Sequence, residues 1–381
     1  MRHFVALLRR VDGRIFFATL ILVSLGFSAI YSINLTQEGQ DFLLVKKQLI
    51  ALMIGLGLAL IIIWSNYRWT HGFSVVLYVL AIVLLIAVLF WGQTIRGTTG
   101  WFSLYFVHFQ PVEFAKLAVV IALARYFSHY TGQGINWRRF FFSGIIVGLP
   151  IVLTLLQPDL GSALLLAIVW LMMIFFAGLK IKQAAVLVVL SAIGFLLAWQ
   201  FLLVDYQKAR IVSFINPASD PMGEGYNVRQ AIIAVGSGGL YGRGLGFGSQ
   251  SQLKFLPESQ TDFIFAVIAE EFGLIGVLLL FLAFYFLLKR FFWYARSARD
   301  DYASLLFLGI TSLFFSAFII NIGMNLGLLP VTGIALPLVS YGGSSLIVSL
   351  LMIGLVESII VHSDSATRPR SQGADYKLFT S

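Results

Sequence analysis

Three carboxylates stand where a polar loop runs into an apolar helix, in the sequence KFLPESQTDFIFAVIAEEFGLIG at 254–276. Asp262 lies at the predicted helix entrance, and Glu270 and Glu271 lie inside the helix. An acidic side chain within a membrane helix costs about 3 kcal/mol on insertion scales, so it usually has a function and a partner. Asp262 could accept a proton from a substrate hydroxyl, or it could ligate Mg²⁺ or Mn²⁺. The alternative is that it only caps the helix.

The sequence QPVEFAK at 110–116 offers a partner for Asp262. Glu113 and Lys116 are three residues apart, so they share a helix face and lie within about 10 Å of its end. One interpretation is a water-filled cavity in which Lys116 meets an anionic group while Asp262 accepts a proton. The other is that Glu113 and Lys116 only neutralise each other, and spacing leaves both open.

Glu270 and Glu271 are expected to face different surroundings. Glu270 is about 12 Å deeper than Asp262 and some 80° around an ideal helix, so it is the better placed of the two to line the same cavity and bind substrate. Glu271 points to the opposite side. We expect it to hydrogen-bond a Ser or Thr of another span.

The run GSGGLYGRGLGFG at 236–248 could aim backbone N–H groups at a phosphate. Arg243 lies inside the run and Arg210 precedes it, so both are candidate substrate-binding residues, together with the loop residue Lys47. Simple backbone flexibility is the alternative explanation of the glycines.

Composition indicates that membrane helices position these residues. Of the 381 residues, 59% are hydrophobic and 11% are charged, and the mean hydropathy is +0.91. These values exclude a water-soluble domain and predict an all-α polytopic membrane protein. The net charge of +9 is read as membrane topology and not as nucleic-acid binding. The absence of cysteine excludes disulfides and thiolate chemistry.

Apolar runs near the length of a bilayer crossing predict ten transmembrane helices within one domain spanning 1–381. A long, structured outer loop at about 205–261 separates spans seven and eight, and a tail follows at about 362–381. The predicted spans are Ile15–Ile33, Leu49–Trp64, Phe73–Trp91, Val112–Phe127, Phe140–Leu156, Leu160–Leu179, Ala184–Val204, Phe263–Leu288, Ala303–Leu326 and Ser344–Val361.

The distribution of Lys and Arg predicts the orientation. Most of these residues fall in segments that are cytoplasmic if the N-terminus is cytoplasmic, which places both termini inside. The polar motifs then gather at the outer face. The chain has no P-loop, dinucleotide fingerprint or zinc-ligand spacing. An enzyme with this layout would use an activated substrate already in the lipid, whereas a transporter would need an ion gradient.

Four motifs carry a family resemblance: QPVEFAK at 110–116, NPASDPMGEGYNVRQ at 216–230, the run at 236–276, and NIGMNLGLLPVTGIALPLVSYGGSSL at 321–346. With the ten-span layout, they resemble the RodA/FtsW (SEDS) family, and the RodA branch more closely. The resemblance implies a glycosyltransferase of the bacterial cytoplasmic membrane that polymerises lipid II into polyprenyl-linked glycan for cell elongation and shape. It also implies a class B penicillin-binding protein as partner, no certain cofactor beyond a possible divalent cation, Asp262 as the catalytic residue, and Glu113 and Lys116 in the same cavity.

Two other functions remain open from the sequence. A lipid-linked precursor transporter (flippase) would suit ten spans with buried charges, but it needs polar groups reaching both faces. A scaffold that only recruits the transpeptidase would tolerate neutralisation of Asp262, Glu113 and Lys116.

Overall fold

In the computed structural model the chain is mainly α-helical, and residues 10–35, 42–95, 97–104, 107–131, 133–203, 208, 212, 214, 224–253 and 255–363 are described. Long apolar runs form helices because a backbone without water must satisfy its hydrogen bonds within the segment. The helices are α1 (Gly13–Asn34), α2 (Leu43–Trp64), α3 (Arg68–Trp91), α4 (Pro111–Ser128), α5 (Trp137–Leu155), α6 (Leu160–Phe176), α7 (Ile181–Leu197), α8 (Glu224–Ser237), α9 (Ser249–Gln252), α10 (Ile264–Ser297), α11 (Asp301–Asn325) and α12 (Gly343–His362).

Each of the ten predicted spans overlaps a helix, and the seventh, Ala184–Val204, continues past α7 into a π-helix at Ala198–Leu202. Among the described residues, eight helices are long and apolar enough to cross a bilayer. The helix α6 is apolar but has only 17 residues, and α4 carries Glu113, Lys116 and Arg125. The chain is therefore a multi-pass membrane protein, and the number ten stays a prediction.

Helix α11 lies between α10, whose entrance carries Asp262, and α4, which carries Glu113 and Lys116. It packs against α10 on one side and against α4 and α6 on the other, while α12 packs along α2 and also touches α4. About 78% of the spanning window of α11 and 83% of that of α12 are buried. These two helices form the centre of the bundle, and α10 packs on α1 at its side.

The all-α prediction was wrong for the segment between α3 and α4, which forms a small antiparallel sheet. Its strands β1 (Gln93–Ile95), β2 (Thr98–Leu104) and β3 (Val107–Phe109) lie in the order β1-β2-β3. Phe102 pairs with Phe109, and the backbone N–H of Thr99 donates to the carbonyl of Gln157 at 3.2 Å. The strands are too short for a clear alternation of polar and apolar residues, so sequence pattern did not reveal them.

The glycine-rich run pairs with a break in α10. Gly273 has a φ of 64° and interrupts the helix, so carbonyls near it lose their intrahelical donors. The N–H groups of Arg243 and Gly244 donate to the carbonyls of Glu270 and Glu271 at 2.9 and 3.0 Å. In return, the N–H of Leu274 donates to the Gly239 carbonyl at 2.9 Å. The glycines thus allow close backbone packing, a role that the sequence interpretation did not include.

Replacement of Gly242 by alanine is expected to destabilise the protein by at least about 2 kcal/mol. Gly242 has a φ of +79°, and an added Cβ would collide with the Glu271 backbone and lie 2.7 Å from the Gly273 nitrogen. Thermal unfolding in detergent measures the loss.

Two glycines nearby separate the causes of this loss. Gly239 has a φ of +55° with nothing within 4 Å of an added Cβ, so Gly239→Ala tests the backbone conformation alone. Gly236 lies in helical backbone with equally open space, so Gly236→Ala should be neutral or slightly stabilising. Equal losses in all three variants would contradict the close-packing account.

A buried polar cluster ties α1, α10 and α12 at the end of the bundle where α1 begins. The Asp12 carboxylate is ion-paired with Arg290 and accepts the Tyr294 hydroxyl at 2.8 Å. The Asp12 N–H donates to the buried carboxylate of Glu357 at 3.0 Å. Glu357 thus has a partner 345 positions away in the sequence. We call this end, which α3 and α11 also share as their start, the basic end of the bundle.

Asp12→Asn is expected to lower the free energy of unfolding by about 2 kcal/mol at neutral pH. Burial opposes the charge, but hydrogen bonds from Arg290 and Tyr294 outweigh it and hold the pKa of Asp12 below its usual value. A lowered folded-state pKa gives stability that is present above the ordinary aspartate pKa of about 3.9 and is lost as pH falls through the folded value. Asparagine still caps α1 as well as aspartate. The difference between wild type and variant in thermal unfolding should therefore shrink in acid, and a constant difference would contradict the ionic origin.

Candidate active site

The turn that leads into α10 presents Asp262. The carbonyl of Glu258 accepts the N–H groups of Thr261, Asp262 and Phe263 at 3.1, 3.2 and 3.3 Å. Glu258 has a left-handed φ of 54°, which closes this turn. The Asp262 side chain is half-buried, as expected at a helix entrance, so one side of it can meet a substrate.

Two buried asparagines at the end of α11 hold the Asp262 backbone. The Nδ2 atoms of Asn321 and Asn325 donate to the Asp262 carbonyl at 3.1 and 2.9 Å. Asn321 also donates to the carbonyl of Ile334 at 2.8 Å. Asp262 Oδ2 lies 3.7 Å from the position of a Cβ on Gly333. Backbone contacts therefore position Asp262, and its carboxylate faces the loop between α11 and α12.

The predicted pair on α4 is formed. Lys116 Nζ lies 2.7 Å from Glu113 Oε1, and the two side chains are 9% and 12% exposed. Pro111 begins α4 and Glu113 occupies its first turn, where a carboxylate is favoured by the helix dipole. The pair is thus nearly desolvated at the end of α4 that the sequence analysis identified.

Residues 336–344, which we call the bridging segment, connect Asp262 with this pair. The N–H of Tyr341 donates to the Gln260 carbonyl at 2.8 Å, and the Ser340 hydroxyl donates to the Thr261 carbonyl at 2.7 Å. At the other end of the segment, the Ser344 hydroxyl accepts the Gln110 N–H at 3.0 Å. One segment therefore touches both the turn before Asp262 and the residue that precedes α4.

Lys47 lies beside the same segment. Its neighbour Gln48 is buried, donates to the Ser340 carbonyl at 3.3 Å and accepts the N–H of Gly342 at 3.2 Å. Lys47 itself is half-exposed and lies in the second turn of α2, so its prediction as a loop residue was wrong because the helix begins six residues before the predicted span. The bridging segment thus gathers the starts of α2, α4 and α10, which we call the site end of the bundle.

The carboxylate of Glu270 accepts hydrogen bonds from the loop that follows the glycine-rich run. It is fully buried and accepts the N–H groups of Gln250 and Ser251 at 2.8 and 3.1 Å and the hydroxyl of Ser249 at 3.3 Å. These donors belong to the first turn of α9. These hydrogen bonds favour a structural role for Glu270, and its contact with substrate stays a prediction.

Arg243 is exposed and is held over α9. Its Nη1 donates to Ser249 Oγ at 2.9 Å, so Glu270 and Arg243 share a partner. Its guanidinium remains at the surface, where an anion can approach. Arg210 lies outside the described residues.

Glu271 has the partner that was predicted for it. The hydroxyl of Ser32, on α1, donates to its carboxylate, which confirms a Ser or Thr from another span. Gln252 Nε2 donates to the same oxygen at 3.2 Å. Glu270 and Glu271 of α10 thus hydrogen-bond consecutive residues of one loop, from Ser249 to Gln252.

The sequence interpretation missed the residues that position the site. Gln48, Ser340, Ser344, Asn321 and Asn325 make the connecting hydrogen bonds. A usable signal was the pair of asparagines four residues apart in an apolar span, which lie on one helix face. Within the described part of the chain no three His, Asp or Glu side chains are grouped to hold a metal. Asp262 as a metal ligand therefore stays a prediction.

Comparison with known proteins identifies the family. The family model for FtsW, RodA and SpoVE, described as "Cell cycle protein", matches residues 13–365. The chain belongs to this family. The match includes Asp262, the Glu113–Lys116 pair and the bridging segment.

Individual relatives of the FtsW/RodA/SpoVE family are similar along most of their length. Peptidoglycan glycosyltransferase MrdB of Escherichia coli (strain K12) is 38% identical over 343 residues, which cover 90% of this chain and 92% of the relative. Stage V sporulation protein E of Bacillus subtilis (strain 168) is 38% identical over 355 residues, 91% of this chain and 95% of the relative.

Solved structures agree with this assignment. A chain of a peptidoglycan synthase complex that coordinates polymerization and crosslinking superposes with a TM-score of 0.76 at 31% identity, covering 92% of this chain and 97% of that chain. The rod shape determining protein RodA of Thermus thermophilus gives 0.69 at 31% identity, with 92% and 96% covered. The RodA-like fold of the chain is thus supported by sequence and by structure.

Proposed function

We propose that this protein is a peptidoglycan glycosyltransferase that polymerises lipid II at the outer face of the bacterial cytoplasmic membrane. The observation that carries the proposal is the site end of the bundle. There the bridging segment contacts the turn before Asp262 and also contacts Gln110, the residue before α4. Helix α4 carries the Glu113–Lys116 pair. A carboxylate and a lysine at the end of a membrane bundle suit transfer from a lipid-linked diphosphate. The activity named for MrdB supports the same reaction.

In the proposed mechanism, Asp262 accepts the proton of the acceptor sugar hydroxyl. The hydroxyl oxygen then attacks the anomeric carbon of the lipid-linked donor, and the bond between that carbon and the diphosphate oxygen breaks. Polyprenyl diphosphate leaves with the electron pair. The fixed backbone of Asp262 keeps the base in place during this step.

Cations at the site end would neutralise the leaving diphosphate. Lys116 is the buried member of this set, and Lys47, Arg210 and Arg243 are its proposed partners. A preorganised cation in a site that excludes water stabilises developing charge more than one in bulk water. A divalent cation would supply the same kind of stabilisation.

Orientation, partner and cellular role complete the proposal. The basic end carries arginines and lysines such as Arg138, Arg139 and Lys289, which supports cytoplasmic termini and an outward site end. The structural relative in a peptidoglycan synthase complex supports a class B penicillin-binding protein as partner. The similarity to MrdB and to RodA supports a role in cell elongation and shape.

The test is a polymerisation assay with the purified protein and its partner in proteoliposomes that carry labelled lipid II. We expect glycan polymer and release of polyprenyl diphosphate. Movement of lipid II across the bilayer without polymer would replace the proposal by a transporter. Polymer that survives neutralisation of Asp262, Glu113 and Lys116 together would replace it by a scaffold. Parallel reactions with a chelator and with added Mg²⁺ or Mn²⁺ decide whether a metal is needed.

A further inference from the structure

Two neighbouring cavities lie at the basic end of the bundle, about 20 Å along α4 from Lys116. The larger has a volume of about 510 Å³ and opens between the starts of α3 and α11 and the end of α4. The smaller, about 340 Å³, lies between α3, α4 and α5. His129 lines both, so the two cavities are adjacent at this residue. The site end uses neither cavity.

The larger cavity is polar and carries cationic and aromatic groups. Arg68 and Arg299 line it, and the rings of His71 and His129 stack there with their centres 5.8 Å apart. The two acids that line it, Asp300 and Asp301, also stabilise the start of α11. Asp300 accepts the N–H of Tyr302 at 3.1 Å as the cap of α11 and the Tyr67 hydroxyl at 3.3 Å, and Asp301 occupies the first turn of the same helix, where negative charge is favoured.

The smaller cavity has a different chemistry. Val75, Tyr78, Ala122 and Ile146 give it an apolar wall, and Val75 is 59% exposed. The guanidinium of Arg125 sits toward its polar side, where Nη1 donates to Ser74 Oγ at 2.8 Å. A ligand that fills both cavities therefore needs a head that can pair with an arginine and an apolar tail.

We propose that the two cavities bind one anionic phospholipid from the leaflet at the basic end. Its phosphate lies in the larger cavity near Arg299 and the two imidazoles, and an acyl chain enters the smaller cavity between α3, α4 and α5. Basic pockets between transmembrane helices are typical binding sites for anionic headgroups. A soluble phosphate compound would use only the polar half, so the apolar extension favours the lipid.

Native mass spectrometry of the purified full-length protein tests this site. Protein in detergent is titrated with phosphatidylglycerol and, separately, with phosphatidylcholine of the same acyl chains. We expect phosphatidylglycerol to bind at least about tenfold more tightly, and Arg299→Gln to remove about a factor of ten of that affinity. Ala122→Phe, which fills the smaller cavity without changing charge, should weaken both lipids.

Arg138→Gln is the matched control, because Arg138 is an exposed arginine of the basic end that lines neither cavity. It should bind like wild type, and thermal unfolding without lipid should be the same for Arg299→Gln and Arg138→Gln. Equal affinity for the two lipids, or equal losses in Arg299→Gln and Arg138→Gln, would overturn the proposal. Stabilisation by millimolar orthophosphate equal to that by phosphatidylglycerol would also overturn it, in favour of a soluble phosphate ligand.

Discussion

Asp262→Asn is expected to reduce polymerisation of lipid II by at least about a hundredfold, because a positioned general base contributes about 10² to 10⁴ in rate. The substitution keeps the shape of the side chain. The hydrogen bonds from Asn321 and Asn325 end on the backbone carbonyl of residue 262, so they persist in the variant. The loss should therefore appear as a fall in kcat in the polymerisation assay, with unchanged thermal unfolding.

Glu258→Gln is the matched control for this variant. It removes one carboxylate charge from the same turn, where the Glu258 backbone carbonyl accepts three N–H groups. The side chain accepts the Thr261 hydroxyl at 3.3 Å, and the amide oxygen of glutamine can accept the same hydroxyl. We expect Glu258→Gln to keep most of the activity. A well-folded Asp262→Asn protein that polymerises like wild type would remove Asp262 from the mechanism, and equal losses in both variants would indicate a general electrostatic effect.

Lys116→Met is expected to give the second largest effect, a loss of both activity and stability. Removing the lysine leaves the carboxylate of Glu113 buried and unpaired, which typically costs about 3–5 kcal/mol. The variant also removes the cation proposed to face the leaving diphosphate, which we expect to lower kcat by about 10². Thermal unfolding and the polymerisation assay measure the two losses separately.

The double variant Glu113→Gln with Lys116→Met separates structure from chemistry. It removes both buried charges, so most of the lost stability should return. Activity should stay low if Lys116 meets the substrate. If activity returns together with stability, the pair is only a neutralised structural pair, which is the alternative that the spacing of Glu113 and Lys116 left open.

The helices and the break in α10 differ in how well the sequence pattern predicted them. Helices were predicted at ten places because a bilayer requires long apolar runs, and such runs are visible residue by residue. The break at Gly273 was not predicted. Its left-handed conformation is stabilised by backbone pairing with residues 239–244, and that pairing exists only after the loop has folded against α10.

The candidate site was likewise predicted in its residues but not in most of their contacts. Asp262, Glu113 and Lys116 were found from their position within apolar runs and from a family resemblance, and both routes depend only on the order of residues. The hydrogen bonds of Glu270 to the loop were not predicted, because an ideal helix shows the direction of a side chain but not the loop that covers it.

The sequence by itself therefore determined the class of protein, the position of its helices and the residues that can do chemistry, since hydrophobicity and residue type are local properties. Only the tertiary structure decided which of these residues meet. The contacts that position the site join Ser344 to Gln110 and Asn325 to Asp262, and a contact that ties α1 to α10 joins Ser32 to Glu271. These partners are separated by tens to hundreds of residues, and the order in which the helices pack, which no local pattern encodes, brings them together.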